Sequence, residues 1–169
     1  MASSASKSPS GENTFLIEHV GVEGVVQLPL NFEREISKVI VKDELFDKIK
    51  TLRLNENPVT TLKGAEKLVN LEKLFCGRRR SFKAIPRWIE ELPNLREINL
   101  DGNDIHSLPH NFFHHHLEKV DFSGNKNLKQ IPNMGDNLTF LDMRDCDIQS
   151  LPHNFFHHHL EKVDLDGAA

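Results

Sequence analysis

LREINLDGNDIHSLPHNFFHHHLEKVDFSGN, residues 95 to 125, decides what kind of molecule this chain is. Its apolar residues fall at Leu95, Ile98, Leu100, Ile105 and Leu108, and the series restarts at Leu117, Val120 and Phe122. Asn103 and Asn125 each stand five residues after the first apolar residue of a short alternating run, Ile98 and Val120. One structural unit is written twice. Alternation of period two marks a short strand with one apolar face, so each unit carries one strand and a way back.

Outward from this stretch the register continues. Alternating apolar pairs open at Leu52, Leu74, Ile98, Val120, Leu141 and Val163, with steps of 22, 24, 22, 21 and 22 residues. A period in the low twenties with the pattern LxxLxLxxN/CxL is the signature of leucine-rich repeats. Ile49, Leu52, Leu54, Asn57 and Val59 fit it in the first unit. Leu95, Ile98, Leu100, Asn103 and Ile105 fit in the third, and Leu138, Leu141, Met143, Cys146 and Ile148 in the fifth. On these residues the chain resembles the leucine-rich-repeat family over 49–169, about six repeats, the last incomplete. The resemblance implies an α/β fold: a right-handed leucine-rich-repeat solenoid with a concave parallel β-sheet and short helices or turns on the convex side. The return segments look like the intracellular repeats of Ras-binding scaffolds and of regulatory subunits of protein phosphatase 1. They lack the cysteine-rich flanks of extracellular receptors.

The pattern has a physical reason. A strand sends Leu52 and Leu54 inward while Arg53 and Asn55 face out. Each buried aliphatic side chain contributes roughly 1.5–3 kcal/mol, yet one repeat cannot cover its own apolar face, so repeats stack. At the Asn position the chain leaves the strand and its buried backbone groups need partners. An Asn amide both donates and accepts. Cys146 fills the same slot with a small thiol that donates weakly. Arg79 fills it in the second repeat, which is two residues longer, so that turn is expected to be irregular.

Ahead of the repeats, residues 1–14 are Ser-rich, have no apolar h-region and read as a disordered leader. Residues 15–48 read as an N-terminal cap with a degenerate repeat: β-branched residues punctuated by Gly21 and Gly24, a worn copy at Leu28-Pro29 and Phe32–Ile36, then a strand over 37–42. Among the return segments, Ile85-Pro86 with Ile89, Leu92 and Leu95 predicts a short helix, and Leu62 with Leu68 and Leu71 predicts another. Residues 130–137, with Pro132 and Gly135, are too short and broken for one. Ser107–Asp121 and Ser150–Asp164 are identical, SLPHNFFHHHLEKVD, at an offset of 43 residues, which reads as a copied two-repeat block. The pattern breaks off at Asp166-Gly167-Ala168-Ala169, where an Asn and a further return are due. The expectation is a fragment of a longer protein, or a last repeat that frays or pairs with another chain.

A formal net charge of -4 carries no basic excess and so no nucleic-acid footprint. No apolar run reaches the ~18 residues a membrane span needs. Cys76 and Cys146 are too few for a disulfide framework, and three strands of about 4.8 Å put them beyond the approximately 7 Å Cα limit of a bridge. Reduced thiols in the cytoplasm, or the nucleus, follow. Cys76 points inward, and Asp145 and Asp147 beside Cys146 raise its pKa, so neither is a nucleophile. The histidine runs, His110 with His114–His116 and His153 with His157–His159, carry imidazoles that suit zinc or nickel and that gain charge as pH falls toward about 6. They lack a carboxylate or thiol at metal spacing and read better as polar turns between buried Phe112 and Leu117. No cofactor is expected, and no constellation of catalytic groups appears.

The outward columns of the strands are the remaining surface, the usual docking face of this architecture. The first column is Thr51, Lys73, Glu97, Lys119, Phe140 and Lys162. The second is Arg53, Phe75, Asn99, Asp121, Asp142 and Asp164. The third is Asn55, Gly77, Asp101, Ser123, Arg144 and Asp166. Bases gather near the start (Arg53, Lys73, Arg78–Arg80) and acids near the end, while Phe75 and Phe140 are expected to be exposed anchors. The candidate partner-binding set is Arg53, Lys73, Phe75, Asn99, Asp101, Lys119, Asp121, Phe140, Asp142, Arg144 and Asp164. The plainer reading of the aspartates is that they solubilise the face, and of the Arg78–Arg80 run that it is a solvated loop. The expected role is a non-catalytic binding module or scaffold in intracellular signalling. By resemblance its protein partner would be a small GTPase, a phosphatase or a kinase component. The alternative is the sensing segment of a larger enzyme, a kinase or ubiquitin ligase, with catalysis beyond residue 169.

Overall fold

The computed structural model describes residues 4–7, 13–28, 36–78, 82–114, 116–157 and 160–165. In chain order the strands among these residues are β1 (Ser4–Lys7), β2 (Asn13–Ile17), β3 (Val25–Gln27), β4 (Ile36–Val41), β5 (Thr51–Arg53), β6 (Val59–Lys63), β7 (Lys73–Phe75), β8 (Glu97–Asn99), β9 (Lys119–Asp121), β10 (Phe140–Asp142) and β11 (Lys162–Asp164), and a short α-helix, α1 (Arg87–Glu90), lies between β7 and β8. Seven of the strands form one sheet in the order β11-β10-β9-β8-β7-β5-β3. All its pairings are parallel. Val26, Leu52, Leu74, Ile98, Val120, Leu141 and Val163 stand opposite one another in a single column. The repeat period read from the sequence is therefore the coil of the solenoid, and the degenerate repeat contributes β3 as one more turn of it.

Burial explains why the register holds. Leu52, Leu74, Val120 and Leu141 are fully buried, and so are Leu54, Leu100, Phe122 and Met143 in the next inward position. Slipping one strand by a residue would turn its aliphatics to solvent and its charges to the core.

The chain leaves each strand through the same turn. Glu56, Arg78, Gly102, Gly124 and Asp145 occupy one position in successive coils, and all five have positive φ, between 56° and 74°. Only the two glycines adopt that geometry without a Cβ penalty. One residue further on sits the Asn slot. Asn103 Nδ2 donates to the Cys76 and Leu100 carbonyls at 2.9 and 3.0 Å, and its Oδ1 accepts from Phe82 N–H. Asn125 repeats this with Leu100 O, Phe122 O and Ile105 N–H. The Cys146 thiol donates to Phe122 O at 3.2 Å, so it does the first half of the asparagine's work. Arg79, the occupant of this slot in the second repeat, lies outside the described residues.

The return side departs from expectation at the start of the chain. β1, β2, β4 and β6 form a second sheet, in which β1–β2 is antiparallel and β2–β4 and β4–β6 are parallel. The first coils thus shuttle between two sheets, with Phe15, Ile17, Val39 and Val41 buried from the second. Residues 4–7, placed in a disordered leader by composition, carry a strand because β2 offers them an edge to pair with. The segment around Leu62 is a strand followed by a 3₁₀ turn (Ala65–Lys67), not a helix. Val59, Thr60 and Thr61 are β-branched, which outweighs the helical spacing of Leu62, Leu68 and Leu71. The expected helix near Ile89 is α1, whose Trp88 and Ile89 are buried. No helix forms over 130–137; the coil there is tied to the next by a parallel bridge, Gln130 to Ser150, and by the Asn154 amide, which bonds Met134 N–H and Met134 O. Of the worn copy at Leu28-Pro29 and Phe32–Ile36, Leu28 and Ile36 are buried, and residues 29–35 lie outside the described residues.

Candidate functional site

The outward side of the seven-stranded sheet carries every candidate binding residue, and its strands are short because each ends at the turn just described. The middle column helps to make that turn. Asn99 Oδ1, Asp121 Oδ1 and Asp142 Oδ1 accept the backbone N–H of Asp101, Ser123 and Arg144, two residues on, at 3.2, 2.8 and 3.1 Å. These Asx turns give the column a structural role besides the docking and solubilising roles expected of it.

Most charges on this face are engaged. Lys73 Nζ lies 3.5 Å from Glu97, and Arg78 bridges Glu56 and Asp101. Arg144 makes a fork onto Asp142, with its terminal nitrogen at 2.7 Å, and reaches Asp164 at 3.5 Å. Burial opposes ionisation of Asp142, but the side-chain and backbone bonds from Arg144 and its charge outweigh that and hold the carboxyl below its usual range. The Arg144 guanidinium is correspondingly harder to deprotonate. Asp121 differs. Its bonds come from neutral donors, Asn99 Nδ2 at 3.1 Å and Ser123 N–H and Oγ–H. Burial pushes its carboxyl up, the Ser123 bonds pull it down, and the nearby Asp142 and Asp101 charges add to the rise.

Phe75 and Phe140 are half-buried rather than exposed. Each is covered by a cation from the neighbouring strand at the same register: Arg53 lies 4.5 Å from the Phe75 ring centroid and Lys162 Nζ 5.6 Å from that of Phe140. Between the two rings the face sinks into a depression of about 270 Å³. Its lining includes Asn99, Lys119 and Asp121 from the predicted set, and also Glu97, which that set omitted although its column had been identified. Arg53, Lys73 and Asp101 lie to the β5 side or along the turn, and Asp142, Arg144 and Asp164 form the clamp beyond Phe140. Asp166, Arg79 and Arg80 lie outside the described residues.

The other candidates gather nothing comparable. Cys76 and Cys146 are free and buried, and burial raises both thiols, Cys146 to about 11. Among the described residues no group of three or more His, Cys, Asp or Glu is placed to hold a metal ion; His115, His158 and His159 are outside them. No helix among the described residues is long and apolar enough to cross a membrane.

Two segments, residues 94–115 and 137–158, match the family model described as Leucine Rich Repeat. Acidic leucine-rich nuclear phosphoprotein 32 family member A of Drosophila melanogaster is 30% identical over 138 residues, covering 74% of this chain and 51% of that protein. The chain spans about half the length of this relative. Seven parallel strands in register, an Asn/Cys ladder at their exits and these two likenesses agree, and the chain is a leucine-rich-repeat protein.

Proposed function

We propose that this chain is a non-catalytic protein-binding module that receives its partner on the outward face of the seven-stranded sheet. The observation that carries the reading is the depression between Phe75 and Phe140: two aromatic walls about three strand spacings apart, roughly 14 Å, over a polar floor. Aromatic side chains beside an unfilled recess are the usual anchors of a protein interface, and leucine-rich repeats generally mediate protein–protein contact. The relative's printed name makes that protein nuclear. Carried over, that name supports the nuclear option for this chain, and reduced Cys76 and Cys146 fit the cytoplasm as well as the nucleus. A signalling protein is the proposed partner class.

The test is affinity capture with the wild type beside a Phe75→Ala/Phe140→Ala double variant whose melt by circular dichroism remains cooperative. Partners lost from the variant support the reading. The same partners on both proteins would place docking elsewhere.

A further inference from the structure

We propose that the depression seats an extended peptide segment carrying a basic and an acidic side chain two residues apart, the basic one on Asp121 and the acidic one on Lys119. This rests on the docking reading above and gives it a chemistry.

The argument is one of charges left over. On this face Arg53 covers Phe75, Lys73 meets Glu97, Arg78 meets Glu56 and Asp101, Arg144 meets Asp142 and Asp164, and Lys162 covers Phe140. Among the described residues of the face, that leaves one acid bonded only by neutral donors, Asp121, and one exposed base that makes no ion pair, Lys119, whose neighbour Glu97 across the strand pair is turned to Lys73. Both stand on β9, at the centre of the depression. Neighbours but one on a strand are about 6.6 Å apart on the same side. An extended guest presents its own alternate side chains at that spacing, so opposite charges at positions i and i+2 meet Asp121 and Lys119 together. On a helix the equivalent spacing pairs i with i+4, where opposite charges already neutralise each other.

The surroundings favour a cation at Asp121. Its carboxylate is half-buried and lies near Asp142 and Asp101, so a guest ammonium or guanidinium removes a repulsion and gains a charge-assisted bond. Arg53 reaches Phe75 from β5 and Lys162 reaches Phe140 from β11, both from outside the depression. The ring faces toward β8 and β9 stay open to the guest's aliphatic stem.

The experiment selects a random linear dodecamer peptide library on the intact protein and measures the winners by calorimetry. The variants are Asp121→Asn, Lys119→Ala, Phe75→Ala and Phe140→Ala. Asp121→Asn keeps its turn, since Asn99 makes the same bond in the preceding coil. The expected result is winners that share Lys or Arg separated by one residue from Asp or Glu, bound at least tenfold more weakly by Asp121→Asn. Winners lost on Phe75→Ala or Phe140→Ala yet indifferent to Asp121→Asn overturn the charge assignment and leave the docking face standing. Winners indifferent to all four overturn both. A library that yields no binder overturns the inference, while the docking face still rests on the capture comparison.

Discussion

The copied block supplies an internal control, because one sequence sits in two surroundings. Phe113 and Phe156 are equivalent residues of the two SLPHNFFHHHLEKVD stretches, and each stacks edge-on against its predecessor, at 5.2 and 5.3 Å with interplanar angles of 84° and 83°. The local conformation is therefore the same. Phe113 is nonetheless 0% exposed and Phe156 84% exposed. Phe113 is closed in by the coil that follows it and also meets the Phe122 ring at 6.3 Å, a position that Leu165 takes in the second copy. Removing a buried Phe costs about 3–5 kcal/mol, whereas an exposed one changes stability by roughly 0.5 kcal/mol or less. Phe113→Ala is thus expected to cost about 3 kcal/mol more than Phe156→Ala. With an m-value of roughly 1–3 kcal/mol/M, that separates their urea midpoints by about 1 M or more. The assay is urea unfolding followed by far-ultraviolet dichroism and by the fluorescence of Trp88, the single tryptophan, with coincident curves required for two-state treatment. Equal losses from the two substitutions would refute the reasoning that stacking, not the local motif, buries the phenylalanine.

Three more expectations follow from named bonds, backbone angles and charges. Asn125→Ala strands Ile105 N–H and takes one donor each from Leu100 O and Phe122 O, which keep Asn103 Nδ2 and the Cys146 thiol; it should cost about 2 kcal/mol in the same assay, against about 1 kcal/mol for Cys146→Ala, which loses one weak donor. Glu56→Gly relieves a left-handed residue at φ 62° and should raise the melting temperature, by up to about 1 kcal/mol of stability. Gly102→Ala should lower it, since a Cβ there is strained at φ 61° and meets Arg78 Cα at 3.3 Å. The third concerns acid. Asp142 has a folded-state pKa below its unfolded one, so its stabilisation is present above the unfolded value, near ~3.9, and is lost as pH falls through the folded value. Arg144→Ala should flatten that loss. Asp121 runs the other way: its raised pKa costs stability at neutral pH, and the cost shrinks as pH falls through the folded value and is gone below the unfolded one. Asp121→Asn should accordingly melt higher than wild type at pH 7 and alike at acid pH.

What could be read from the chain was what repeats. Leu52, Leu74, Ile98, Val120, Leu141 and Val163 recur at a near-constant step because each fills the same buried place, so period alone put them in one column. The second sheet was hidden because nothing in it recurs: β2, β4 and β6 share no sequence pattern, and Leu62, Leu68 and Leu71 mimic a helical stripe over a β-branched run. The same limit shaped the site. Alternation placed Phe75 and Phe140 outward correctly, but their cover comes from Arg53 and Lys162, one strand away at the same register, and shows only when the columns are read across. Asn99, Asp121 and Asp142 were visible as a polar column. Their bonds to the N–H two residues on depend on side-chain orientation, which no spacing rule reports.

An amide-resolved NMR titration of the protein with a library-selected peptide tests the central claim most directly. The account predicts that shift changes centre on residues 97–99 and 119–121 and on Phe75 and Phe140. Changes confined to the return segments, 104–114 and 147–157, with the strand amides unmoved, would contradict it.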